Sequence, residues 1–186
     1  MALQIHALFP TAVATAQLML DPLELAAQLQ TLLMLRGADE GNPSPGCAWT
    51  GDLNGVWQLH RHPDFSGLTD RVVEQAWVYL SAVGFDQAKL ALHVQRCWPV
   101  LSDWDQVVGR HHHPNAHLSA VLYLSGSGSG EDGVLRIHAP SQPNELVPGS
   151  AAGHGGPIAA GHPLTQPHWD LAPQPGLLVL FPSRLD

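Results

Sequence analysis

The spacing of apolar residues changes once along this chain, near Gly84. Before it the period is that of a helix. In LDPLELAAQLQTLLMLRG, Leu25, Leu29, Leu32 and Leu33 recur on one face. Asp21 can cap the first turn, Pro22 suits the first helical position, Glu24 stands three after the cap, and Gly37 is a stop. A second helix is predicted over about 67–83, where Leu68, Val72, Ala76 and Leu80 repeat every four residues and Gly84 ends the run. Residues 4–18 read as a strand or two around Pro10, and GVWQLH as a short strand holding Trp57. Beyond Gly84 the period falls to two. KLALHV, DWDQVVGR, AHLSAVLYLSG, GVLRIHA and GLLVLFPS all read as strands. In the third of these, Leu118, Ala120, Leu122 and Leu124 face one way, and His117, Ser119, Val121 and Tyr123 the other. This order predicts N-terminal helices packed against an antiparallel sheet system, a sandwich or open barrel, and not a Rossmann unit.

Residues 139–176 break the pattern with repeated prolines and glycines and no lasting period. A stretch of that length reads as a long loop inside a single domain spanning 1–186. The 186 residues are 45% hydrophobic, enough for one core and against global disorder. Net charge is -8 with neutral histidines, which lacks the basic footprint of a nucleic-acid binder. The apolar N-terminus has no basic start and contains Pro10, against a signal peptide, and no apolar run reaches membrane-span length. Cys47 and Cys97 read as reduced thiols of a cytoplasmic protein.

The chemistry concentrates in GRHHHPNAHLSAVLYL. On a strand, His111 and His113 would present two imidazoles to one centre while His112 points away. Neutral imidazole suits Fe(II), Zn(II), Ni(II) or Cu(II), and a non-haem iron site uses two histidines and a carboxylate. Solvated or hydrogen-bonded structural histidines are the alternative. Asn115 either orients a ligand ring or caps a turn. Tyr123 either donates to a cofactor carboxylate or packs in the core. Trp98 and Trp104 read as packing residues, and Arg136 as a surface residue that could approach a cofactor.

Several segments together resemble the 2-oxoglutarate–Fe(II) oxygenase superfamily, in a small bacterial and phage group. They are ALFPTAV, WQLH, LTDRVVEQAWVYLSAVG, CWPVLSDWDQVVGRHHHPNAHLSAVLYLSG, GVLRIHAP and PQPGLLVLFPSRLD. The group's central motif is close to H-x-H-P-N-x-x-L-S-G-V-Y-Y-L. His111, His113, Pro114, Asn115, Leu118, Ser119, Val121, Tyr123 and Leu124 match it, while Ala120 and Leu122 depart from it. The resemblance implies a mainly β, double-stranded β-helix (a cupin-like jelly roll) with the N-terminal helices outside. It implies a dioxygenase using Fe(II) and 2-oxoglutarate on a small-molecule or protein side-chain substrate, with His111 and His113 as metal ligands and Asn115 and Tyr123 near the cofactor. The group's pattern continues past F-P-S-x-L to a further metal histidine and a cofactor-binding arginine, positions that would follow Asp186. The expectation is therefore a C-terminally incomplete member, with His154, His162 and His168 as substitute ligands. The alternative is a truncated or decayed oxygenase fold acting as a non-catalytic binding or structural protein.

Overall fold

The computed structural model describes residues 3–6, 8–37, 44–140, 161–162 and 164–186. Its core is a sheet covered on both sides. Strand β7 (Leu177–Pro182) lies between β1 (Ala14–Gln17) and β4 (Leu118–Leu122), antiparallel to both. A central strand with two covered faces must be apolar on both, which explains the uninterrupted run LLVLFP. Leu178 and Leu180 face the layer formed by Ala76 and Tyr79 of helix α2 (Pro63–Ala82). Val179 and Phe181 face Ile137 and Leu171 of a separate two-stranded ribbon, β5 (Leu135–His138) with β6 (His168–Leu171). The alternation in β4 sorts the same way: Leu118 and Leu122 pack on the helix side, Val121 on the ribbon side. The result is three layers: helix, sheet, ribbon.

The helices form where the caps place them. Asp21 Oδ1 accepts from the amides of Leu23 and Glu24 at 2.9 and 3.0 Å, opening α1 (Pro22–Gly37). Helix α2 starts at Pro63, four residues before the apolar repeat suggests, because Pro63 sets the first turn and His62 Nδ1 accepts the Asp64 amide at 3.3 Å. It ends in a Schellman turn. Gly84 adopts φ +96°, its amide donates to Ser81 O, and the Phe85 amide donates to Leu80 O. The two helices are joined through polar groups that the apolar pattern does not mark. Gln28 and Thr31 are buried on α1, the first donating to Asp64 O at 3.0 Å and the second to Asp64 Oδ2 at 2.6 Å.

Gly176 ties the sheet together before β7 begins. Its carbonyl accepts the Leu18 amide and its own amide donates to Tyr123 O, both at 2.8 Å. A Cβ there would meet Leu18 O at 2.1 Å, and φ is +85°, so the position requires glycine.

This architecture overturns the double-stranded β-helix expectation. The described residues form a mixed α and β fold with three small open sheets; the third is the two-residue pair β2 (Trp49–Thr50) and β3 (Val100–Leu101). Helices α1 and α2 hold 16 and 20 residues, more than the seven short strands together. The reason lies in segments that alternate without pairing. KLALHV runs from the last residue of a 3-10 turn into an extended, largely exposed stretch with no ladder. GVWQLH becomes a turn and a 3-10 turn, keeping a single bridge from Gln58 to Cys97. DWDQVVGR keeps only a bridge from Val107 to Cys47. A closed barrel needs every strand paired on both edges, and these are not. Strand β6 falls inside the proline- and glycine-rich stretch 139–176, while most of 141–163 lies outside the described residues.

Candidate functional site

The histidine run is not on a strand. Residues 109–117 form an irregular segment with a turn at Pro114–Asn115, closed by the Ala116 amide donating to His113 O at 3.2 Å. The segment is held by the residue that follows β7. Ser183 is 1% exposed. Its carbonyl accepts the His113 amide at 2.9 Å, its amide donates to His117 O at 3.1 Å, and its hydroxyl pairs with Ser119 Oγ at 2.8 Å. The F-P-S sequence and the H-x-H-P-N sequence therefore fold as one unit, each satisfying the other's polar groups.

This anchoring splits the three imidazoles. His111 and His113 meet edge to face with ring centroids 4.8 Å apart, and His113 also lies against Trp98 at 5.4 Å. His112 turns to Asp186, its Nδ1 3.2 Å from Oδ1. Arg110 holds the other oxygen of that carboxylate through Nε and Nη2 at 3.0 and 2.8 Å. These arginine bonds are the first cause of an Asp186 pKa below the usual carboxylate value. His111 Nδ1 lies 2.7 Å from Gly109 O. A carbonyl only accepts, so this nitrogen carries a proton, and in the neutral ring Nε2 keeps the lone pair. Burial holds the His113 pKa below the ordinary imidazole value; His111 adds to the shift and Asp52 opposes it. Asp52 itself is engaged by Arg96, whose Nη2 is 3.0 Å away and whose guanidinium lies over the Trp57 ring.

The Tyr123 backbone is not brought to the pair. Asn115 is exposed in the turn beside it. Tyr123 lies at the other end of β7, its amide donating to Leu177 O at 2.9 Å. Leu177 and Ser183 are six positions apart, roughly 20 Å along an extended strand at about 3.3 Å per residue. Burial pushes the Tyr123 hydroxyl up to about 12. Of the substitute ligands, His154 lies outside the described residues. His162 Nδ1 accepts the Leu164 amide at 3.3 Å, and His168 sits on β6 opposite His138. Arg136 is bound to Asp170 by two 2.8 Å hydrogen bonds.

An iron centre of the expected kind takes two histidines and a carboxylate with open positions. Among the described residues no group of three or more His, Cys, Asp or Glu side chains is disposed to hold a metal ion. The described residues supply an imidazole pair and do not fit the Fe(II) and 2-oxoglutarate group. With the sheets open, this overturns the reading of the chain as a dioxygenase, and with it the expectations of oxidoreductase chemistry, a resident metal centre and a jelly roll. Sequence reasoning passed over Ser183 and Asp186 as groups that shape the segment, while Trp98, read as a packing residue, lies against His113. Ser183 carried a signal, because the F-P-S sequence recurs with the histidine motif. Asp186 carried none. No helix among the described residues is long and apolar enough to cross a membrane.

No curated protein matches the chain. One family does match, over residues 96–186, the part that contains the histidine segment, the ribbon and β7; residues 1–95, where other resembling segments lie, are outside the match. Residues 96–186 match the model of the family described as "Putative 2OG-Fe(II) oxygenase".

Proposed function

We propose that this chain is a non-catalytic binding protein built on an oxygenase-related domain, with the His111–His113 segment as its contact face. The observation that carries the reading is the separation of the motif residues. The backbones that carry the imidazole pair and Tyr123 are anchored at opposite ends of β7, on Ser183 and Leu177, roughly 20 Å apart at about 3.3 Å per residue. What remains at the pair is a recognition surface. His111 Nε2 is an acceptor on an exposed ring, His113 and Trp98 supply ring edges, and the chain carries a net charge of -8. A group that donates hydrogen bonds suits this surface, such as an amide, hydroxyl or ammonium on a small molecule or on a protein side chain. In this reading Asn115 shapes the presenting turn and Tyr123 closes the far end of the sheet. Fe(II) is a weak ligand of the two imidazoles, and 2-oxoglutarate is not turned over. The setting is cytoplasmic.

The test is anaerobic calorimetry with Fe(II), followed by a succinate assay with 2-oxoglutarate in air. We expect weak Fe(II) binding and no succinate above the protein-free background. Oxygen-dependent succinate formation that disappears in His111→Ala or His113→Ala would overturn the proposal.

A further inference from the structure

A second imidazole pair lies outside this segment. In the β5–β6 ribbon, residues directly opposite share a face. The register pairs Leu135 with Leu171 and Ile137 with Trp169 on one face, and Arg136 with Asp170 and His138 with His168 on the other. The first face supplies Ile137 and Leu171 to the core. The second is polar and turned outward, and it ends in two histidines placed across from each other on adjacent strands. Their ring centroids are 6.3 Å apart, with planes at 54°.

We propose that His138 and His168 form a two-imidazole site for a divalent transition-metal ion, completed by water, on the outer face of this ribbon. Three features support it. Two imidazoles bound to one ion at about 2.0–2.1 Å have centroids about 5–6 Å apart, so these rings reach that geometry through small side-chain rotations. The strands fix the two Cβ positions, so little backbone order is lost on chelation. The surrounding charge is balanced. Arg136 is paired with Asp170 and Arg110 with Asp186, and Asp170 Oδ2 lies 3.8 Å from His168 Nε2. Zn(II), Ni(II) and Cu(II) are the ions that paired imidazoles take. The site is independent of the binding reading given above and of the His111–His113 pair.

The experiment is titration with Zn(II) by calorimetry on the full chain carrying His111→Ala and His113→Ala, which removes the other imidazole pair. One Zn(II) equivalent is expected to bind. Adding either His138→Gln or His168→Gln should weaken it by at least about tenfold. Thermal unfolding gives a second reading: Zn(II) should raise the midpoint of the parent and not of the two glutamine variants. Equal Zn(II) affinity in the parent and the glutamine variants, or no binding by the parent, would overturn the proposal.

Discussion

Leu178→Ala probes the layering on which the placement of the histidine segment depends. Leu178 is 0% exposed on β7 and belongs to the cluster with Leu18, Ala76, Tyr79 and Leu180. The substitution removes three carbons, about 2.4 kcal/mol of transfer free energy at about 0.8 kcal/mol per methylene. A cavity term adds to this because the site relaxes only partly. Here relaxation is restrained: β7 is hydrogen-bonded to β1 and β4 on its two edges and covered by other side chains on both faces. The expected loss is about 3–5 kcal/mol, in the range of buried Leu→Ala changes. Equilibrium unfolding in urea, followed by tryptophan fluorescence and far-UV circular dichroism, measures it as a lower midpoint at unchanged slope. Leu53→Ala is the control: that side chain is 74% exposed, and its loss should stay within about 0.5 kcal/mol. A loss below about 1 kcal/mol at Leu178, or one equal to the control, would refute the placement of β7 as a strand covered on both faces.

Asp64→Ala removes the carboxylate that receives Thr31 Oγ1 across the helix interface, and should cost about 1–3 kcal/mol; a double-mutant cycle with Thr31→Ala should show coupling of at least about 0.5 kcal/mol, and additive effects would count against that bond. Acidification should destabilise the fold through its depressed histidines. His60 is held below the ordinary imidazole value by burial first and Arg61 second, and His113 by burial first and His111 second. The unfolded chain then binds more protons than the folded one between the folded and unfolded pKa values. This contribution is complete above about pH 6.5 and is lost as pH falls through the folded values. Urea midpoints between about pH 7.5 and 5 should fall, and His60→Gln should reduce the slope; an unchanged slope in that variant would remove His60 from the account.

The sequence by itself determined the local elements whose causes are local. Asp21, Pro22 and Gly37 bound α1 where the caps require, and Gly84 closes α2 through a left-handed turn that glycine adopts at low cost. The alternation in β4 and the apolar run of β7 marked both segments as strands, because burial acts on each side chain separately. The H-x-H spacing singled out His111 and His113, and their rings do meet. The cause is tertiary, since Ser183 grips an irregular segment where strand alternation was the argument.

Closure and convergence were decided only by tertiary structure. KLALHV alternates as well as β4 does, yet it stays unpaired, because a ladder needs a partner edge and no local pattern supplies one. Helix α1 buries Gln28 and Thr31 in preference to Leu33, because the Asp64 carboxylate and carbonyl stand opposite them. The cross-strand meeting of His138 and His168 depends on a register between residues 30 positions apart. The separation of Tyr123 from the imidazole pair was likewise set by hydrogen bonds to opposite ends of β7. A sequence lists which side chains can do chemistry, but their distances follow from which backbone groups pair, and that pairing is a property of the whole fold.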